Sequence, residues 1–212
     1  MLIQELHNDL GYNFGMLKQS KFIKSAAAWE DLPPEGGKEV ALWGRSNSGK
    51  SSTLNALCNQ HGLARTSRTP GRTTLLNYFQ VIPDRWLVDL PGYGYAKQAK
   101  HRQEDWDTLI SRYISERHSL MGLILIMDIR HPLTPLDQQV LEWLGPLNVP
   151  THIILNKADK LGYGAQQQIL HRVQNNLSKI NAGITLQTFS AHNKQNLSNL
   201  EHVIENWLEI KS

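Results

Sequence analysis

The run Gly44-Arg45-Ser46-Asn47-Ser48-Gly49-Lys50-Ser51 constrains this chain more than any other stretch. It is a complete GxxxxGK[ST] pattern set between an apolar, strand-like run, Val40 to Trp43, and a segment suited to a helix, Lys50 to Leu57. Glycines at both ends let the backbone turn back without Cβ clashes, so successive amide hydrogens point into one concavity suited to a phosphate chain. The start of the following helix adds positive potential. In such a loop Lys50 spans the β- and γ-phosphates and the Ser51 hydroxyl sits on a magnesium ion. A glycine turn preceding a helix by chance would lack this chemistry, but strand and helix both stand in register here.

Around the loop, apolar runs alternate with segments of helical period, as in an open sheet with helices on both faces. Strands are expected at Val40 to Trp43, Tyr78 to Ile82, Trp86 to Asp89, Leu123 to Asp128, His152 to Leu155 and Leu186 to Phe189. Only Pro83, Asp84 and Arg85 separate the second from the third, too few residues for a crossover helix, so that pair is expected to be an antiparallel hairpin. The expectation is an α/β phosphate-loop fold with a six-stranded mixed, mostly parallel sheet and helices on both faces. Trp106, Leu109, Ile110, Tyr113 and Ile114 share one helical face, and Leu197, Leu200, Ile204, Trp207 and Leu208 share another. Thr134, Pro135 and Asp137 predict an N-cap, a first-turn proline and a first-turn acid opening a helix through Trp143. Leu32-Pro33-Pro34-Glu35-Gly36-Gly37 divides an arm and linker, residues 1–37, from a main domain, residues 38–212.

A phosphate loop alone does not choose between adenine and guanine. Asp89-Leu90-Pro91-Gly92 ends the third expected strand, where an acid holds magnesium through water and the Gly92 amide reaches the γ-phosphate. Asp-x-Pro-Gly is also a common turn. Asn156-Lys157-Ala158-Asp159 matches the guanine-reading NKxD pattern. Guanine presents N1-H and the N2 amino group as adjacent donors that one carboxylate accepts together, whereas adenine offers an acceptor at N1. Asp159 therefore selects guanine, with Asn156 bracing the site and the Lys157 stem packing on the ring. Phe189-Ser190-Ala191 offers a backbone amide to guanine O6. All four segments fall at carboxyl ends of strands, where open α/β sheets bind ligands. Between the first helix and the second strand, Arg68-Thr69-Pro70-Gly71-Arg72-Thr73-Thr74 is a candidate nucleotide-sensing loop, with Thr73 adding a hydroxyl to magnesium.

Composition excludes several other classes. The longest apolar run, Met121 to Met127, has seven residues against about 20 for a bilayer crossing, and the polar opening lacks the apolar heart of a secretion signal. The single cysteine, Cys58, and nine histidines without metal spacing argue against disulfides and structural zinc, and a cytoplasmic monomer is expected. The 22 Lys and Arg against 19 Asp and Glu leave a charge of +3, a mild excess that permits an anionic partner. Arg65, Arg68 and Arg72, then Lys97, Lys100 and Arg102, with Arg112 and Arg117 further on, place positive charge beside the moving loops and suggest salt-dependent RNA binding.

GRSNSGKSS, TPGRT, DLPGYGYA, MDIRHP, NKAD and FSA, in this order and joined by the arm sequence KFIKSA, resemble the EngB family (YihA or YsxC) of bacterial ribosome-assembly GTPases in the TrmE-Era-EngA-YihA class. The resemblance runs from about Lys21 to Trp207, DLPGYGYA followed by MDIRHPL is its discriminating combination, and it implies a Ras-like phosphate-loop GTPase fold. It implies GTP contacts from Gly44, Arg45, Ser46, Asn47, Ser48, Gly49, Lys50 and Ser51, from Gly71, Arg72, Thr73, Thr74 and Leu75, and from Asp89, Leu90, Pro91 and Gly92. On the base side it implies Asn156, Lys157, Ala158, Asp159, Phe189, Ser190 and Ala191. Lys50, Thr73 and Gly92 are read as catalytic, and Ser51 and Thr73 as Mg2+ ligands. Family members often carry threonine at position 156, and alanine or valine at position 48.

The resemblance implies a switch that binds the precursor of the large (50S) ribosomal subunit and its rRNA with GTP, leaves after hydrolysis to GDP, and is needed for normal cell division and septation. Tyr93 stands where Ras-like enzymes place a water-orienting glutamine, so intrinsic turnover is expected at or below roughly 10⁻⁴ to 10⁻² s⁻¹. Asn47 resembles the asparagine through which some class members hold K+. Arg68 or Arg72 is a candidate arginine finger in cis, though phosphate contacts to RNA suit them better. The alternatives are a nucleotide-gated RNA-binding module without turnover, and another phosphate-loop enzyme such as an ATPase or nucleotide kinase.

Overall fold

A computed structural model of the chain describes residues 15–64, 75–94, 100–178, 180 and 183–210, and the side chains of residues 100–107 lie outside that description. The loop positions Gly71, Arg72, Thr73 and Thr74, together with Arg65, Arg68 and Lys97, lie outside the described residues.

The strands are β1 (Lys21–Ala26), β2 (Lys38–Gly44), β3 (Leu76–Ile82), β4 (Arg85–Asp89), β5 (Leu120–Asp128), β6 (Thr151–Asn156) and β7 (Thr185–Thr188), in the order β1-β3-β4-β2-β5-β6-β7. The helices are α1 (Lys50–Leu57), α2 (Lys100–Glu116), α3 (Pro135–Leu144), α4 (Tyr163–Leu177) and α5 (Leu197–Leu208). β3 is antiparallel to both β1 and β4, while β4, β2, β5, β6 and β7 run parallel. The expected hairpin is present.

The sheet has seven strands rather than the six expected, because Lys21–Ala26 of the arm pairs with β3. An edge strand with one neighbour and a solvent side does not need an apolar run, so its lysines hid it. Helix α4 was not expected either. Its inward positions Gln166, Val173 and Leu177 sit among glutamines and asparagines, which blur the helical stripe.

Strand alternation explains the two helical layers. Ala41, Trp43, Leu123, Leu125, Met127, Ile153 and Leu155 face α2, α3 and α4, whereas Val40, Leu42, Ile124, Ile126 and Ile154 face α1 and α5. The glycine at 122 lets α5 come close: a Cβ there would stand 2.3 Å from the Trp207 ring. Thr134 caps α3 as expected, with its hydroxyl accepting from the Asp137 amide at 3.4 Å and its own amide donating to the Asp137 carboxylate at 2.8 Å.

Arg117 corrects one reading. It is 7% exposed, and its guanidinium donates to the Glu39 carboxylate at 2.6 Å and to the Pro33 carbonyl at 2.7 Å. The Tyr113 and Tyr78 hydroxyls donate to the same carboxylate at 2.7 and 3.3 Å. Burial and then the Glu39 charge push both phenols well up, so they stay protonated donors. Arg117 thus ties α2 to β2 and the Pro33 linker and is no part of an RNA-facing surface. No described helix is long and apolar enough to cross a membrane.

Candidate nucleotide site

β2 lies at the centre of the sheet, with β4 and β5 as parallel neighbours on either side. The carboxyl ends of β2, β4 and β6 therefore bring the Gly44, Asp89 and Asn156 segments together, and the segment after β7 adds Phe189 to Ala191. The loop after β2 turns tightly: the Ser48 amide donates to the Arg45 carbonyl at 3.0 Å, and Asn47 and Gly49 have φ of 65° and 99°. At Gly49 a Cβ would meet Asn156 Nδ2 at 2.2 Å, so both its φ and its surroundings call for glycine. No side chain caps α1 at Gly49, which leaves the amides of its first turn directed at the site.

Lys50 opens α1, and its ammonium is hydrogen-bonded to the Asp89 carboxylate at the end of β4. Both side chains are nearly buried, at 11% and 5% exposure. Ser51 follows on the same first turn, so a hydroxyl and a carboxylate oxygen stand beside the loop. These hard oxygens suit magnesium, which is commonly held by few protein ligands together with substrate phosphates. The described residues hold no cluster of three or more acidic, histidine or cysteine ligands.

The segment after Asp89 is fastened to the loop. Tyr93 forms a bridge with Arg45, the Ser46 amide donating to the Tyr93 carbonyl and the Tyr93 amide to the Gly44 carbonyl, both at 3.3 Å. The Tyr93 hydroxyl donates to Asp137 at 2.7 Å, and its ring meets Trp43 edge to face at 5.1 Å. Burial, and then the Asp137 charge, drive the phenol far above its ordinary pKa. Tyr93 is therefore a neutral donor pinned to the α3 cap, and its hydroxyl serves the scaffold. Trp43 Nε1 also holds the Pro91 carbonyl at 2.9 Å, and the Leu90 amide donates to Leu42 at 3.0 Å.

On the base side, Asn156 is a three-way clasp. Its Nδ2 donates to the Ser48 carbonyl at 2.9 Å, while its Oδ1 accepts the Lys157 amide at 2.8 Å and the Ala191 amide at 3.2 Å. The Lys157 ammonium donates to the Asn47 carbonyl at 2.7 Å and to Asp128 at 2.8 Å. Ala158 is buried, its amide bonded to the Phe189 carbonyl at 3.0 Å. Asp159 accepts from the Ser190 hydroxyl at 2.6 Å and pairs with Lys160 at 3.0 Å. The Ser190 bond is the main influence holding Asp159 below its ordinary pKa, keeping it an acceptor at neutral pH.

Three contributions escaped sequence reasoning. Ser190 was valued for its backbone, yet its side chain orients Asp159. Asp128 and Arg130 were noted only within MDIRHP. Arg130 grips Asp128 through Nε at 2.9 Å and Nη2 at 2.6 Å, and Asp128 in turn steadies Lys157. Burial works to raise the Asp128 pKa, but bonds from Arg130 and Lys157 win and hold the carboxyl well below the usual range. Their position at the end of β5, between the two site strands, was the available signal. The Ser48 hydroxyl is buried with no partner among the described residues, an environment that suits the alanine or valine common at this place.

Residues 39–157 match the family model described as 50S ribosome-binding GTPase. A probable GTP-binding protein EngB of Xylella fastidiosa is 50% identical over 193 residues, 91% of this chain and 95% of its own length. Its counterpart in Coxiella burnetii is 45% identical over 190 residues, covering 90% and 93% of the two chains. Among solved structures, a probable GTP-binding protein engB shares the fold with a TM-score of 0.64 at 22% identity, over 81% of this chain and 98% of that one. A structure of Era in complex with MgGDPNP and nucleotides of 16S ribosomal RNA has a TM-score of 0.63 at 24% identity, over 80% and 56%. The Ras-like phosphate-loop architecture agrees with both, and with identity of this extent over nine-tenths of its length the chain belongs to the EngB family of GTP-binding proteins.

Proposed function

We propose that the chain is a slow GTPase switch that binds the maturing large ribosomal subunit with GTP and leaves it with GDP. The observation that carries this reading is the Asn156 clasp, which joins the phosphate loop, the Asp159 segment and the Ser190 segment into one site that grips both ends of a guanine nucleotide. Gly44 to Ser51 cradle the phosphates, Lys50 neutralises their charge, Gly92 offers its amide to the γ-phosphate, and Asp159 reads the base. Ser51 and Thr73 would hold magnesium, which would offset the negative charge that develops on the phosphates. Gly71, Arg72, Thr73, Thr74 and Leu75 sense the γ-phosphate. The printed family description, 50S ribosome-binding GTPase, supports the partner, and the cytoplasmic role in cell division that the family resemblance implies is read as a downstream effect of assembly. Sedimentation with isolated large subunits tests the switch: the protein pellets with a GTP analogue and stays in solution with GDP. Pelleting that ignores the nucleotide, or none at all, contradicts it.

Because the Tyr93 hydroxyl is bound to Asp137, it is not free to orient the attacking water. Unassisted turnover should fall at or below roughly 10⁻⁴ to 10⁻² s⁻¹ and rise with ribosomes. Asn47 resembles the asparagine through which some class members hold potassium, so turnover should be faster in potassium than in sodium. A fast burst by the isolated protein contradicts the first expectation, and equal rates in the two salts contradict the second. The same Tyr93 geometry favours one second reading, an RNA-binding module gated by nucleotide with negligible turnover. Phosphate release stimulated by ribosomes separates the two.

A further inference from the structure

One edge of the sheet carries a surface that the nucleotide site does not use. Strand β1 presents Lys21, Phe22, Ile23 and Lys24, with Lys18 in the turn before it. Phe22 is 51% exposed and Ile23 47%. The register with β3 shifts between Phe22 and Lys24, so a bulge at Ile23 leaves two successive apolar side chains facing solvent where a regular strand would leave one. Phe22 is nonetheless held: its ring meets the buried Phe79 at 5.7 Å and 65°. Lys18, Lys21 and Lys24 have no carboxylate within ion-pair distance among the described residues. Lys24 and Lys18 act only at longer range on Asp31 and Glu201. The result is a fixed aromatic ring ringed by unspent positive charge.

We propose that this edge is a contact surface for unpaired RNA, with a base stacking on Phe22 and phosphates meeting Lys18, Lys21 and Lys24. Aromatic rings beside basic side chains hold single-stranded nucleic acid through π-faces and charge together. An extended peptide adding to the sheet is the rival occupant, but the bulge interrupts the backbone ladder that such a strand needs. The surface is also tied to the elements that flank the candidate nucleotide-sensing loop in the chain. Gln60, after α1, donates to the Lys18 and Ser20 carbonyls at 2.8 and 2.9 Å, and Ser25 donates to Asn77 at the start of β3 at 2.7 Å. Those contacts fall at Gln60 and Asn77, before and after the connector in the chain. The choice of RNA rests on the ribosomal reading above.

Fluorescence anisotropy of the full chain with a labelled oligouridylate of about twelve nucleotides, and with an RNA duplex of equal length, tests this. The single strand should bind more tightly than the duplex. Phe22→Ala and Phe22→Leu should each weaken it roughly five- to hundredfold while keeping the salt dependence. Joint replacement of Lys21 and Lys24 by alanine should flatten the slope of log K against log salt by about 1.4. GDP affinity and melting temperature, unchanged in Phe22→Leu, confirm a folded protein. Phe22 variants that bind like the parent overturn the proposal, as do equal affinities for single strand and duplex, or no RNA binding by the parent. An oligoglutamate bound as tightly as the RNA assigns the edge to an acidic peptide and also overturns it. Parent protein that pellets with large subunits while Phe22→Leu binds oligouridylate normally removes this inference alone. Parent protein that never pellets removes the ribosomal reading.

Discussion

Lys50→Ala should lower GTP turnover by at least about 10²-fold and weaken nucleotide binding along with it. The ammonium stands on the first turn of α1, directly after the phosphate loop, and is bonded to Asp89. On the proposed function, removing it takes away the charge that meets the β- and γ-phosphates. It also strands the Asp89 carboxylate, which is 4% exposed, and leaving one member of a buried pair alone costs about 3–5 kcal/mol. The variant should therefore melt earlier as well as bind poorly. Lys50→Arg keeps the charge and should recover stability more than turnover, because a planar guanidinium does not reproduce a point charge on a flexible stem. Calorimetric GDP titration and a thermal melt read both effects. Near-parental affinity in Lys50→Ala would place the phosphates elsewhere.

Asn156→Ala should lower the melting temperature by roughly 6–12 °C. The side chain is 2% exposed and spends both polar ends on the Ser48 carbonyl and the Lys157 and Ala191 amides. Each buried group left without a partner costs about 1–3 kcal/mol, and water entering the gap recovers part of that, so about 3 kcal/mol is a fair total. In a domain of this size 1 kcal/mol moves the midpoint by about 2–4 °C. GDP affinity should fall by about 10²-fold, since the base-reading and phosphate-binding segments lose the bond that spaces them. A shift under about 2 °C would mean the three segments hold together without the clasp.

What could be read from sequence was set by local physics. The glycines of the phosphate loop, the helix at Lys50–Leu57, the short hairpin loop and the Thr134–Asp137 cap all depend on neighbours a few residues apart. What was missed depends on partners far along the chain or on solvent. Lys21–Ala26 is a strand only because β3 offers it an edge. Arg117 looks like surface charge until Glu39, 78 positions away, is seen to bind it. Asp128 gains its role from Lys157, 29 positions later, and Ser190 from Asp159, 31 positions earlier. The chemistry-bearing patterns were legible because each sits at a strand end, whereas the bonds that aim their side chains arise only once the strands are side by side.

Titration of the purified chain and of Asp159→Asn with GDP, ADP and xanthosine diphosphate tests the central claim, that one carboxylate aimed by Ser190 reads the base of a nucleotide whose phosphates lie in the phosphate loop. The parent should prefer GDP over ADP by about 10⁴-fold, because adenine leaves the carboxylate facing an acceptor. Asparagine presents a donor where guanine's amino group needs an acceptor, so GDP should weaken by at least about 10²-fold while the xanthine nucleotide, with a carbonyl there, gains. A parent that prefers ADP, or an Asp159→Asn variant that keeps the parental order of nucleotides, would contradict it.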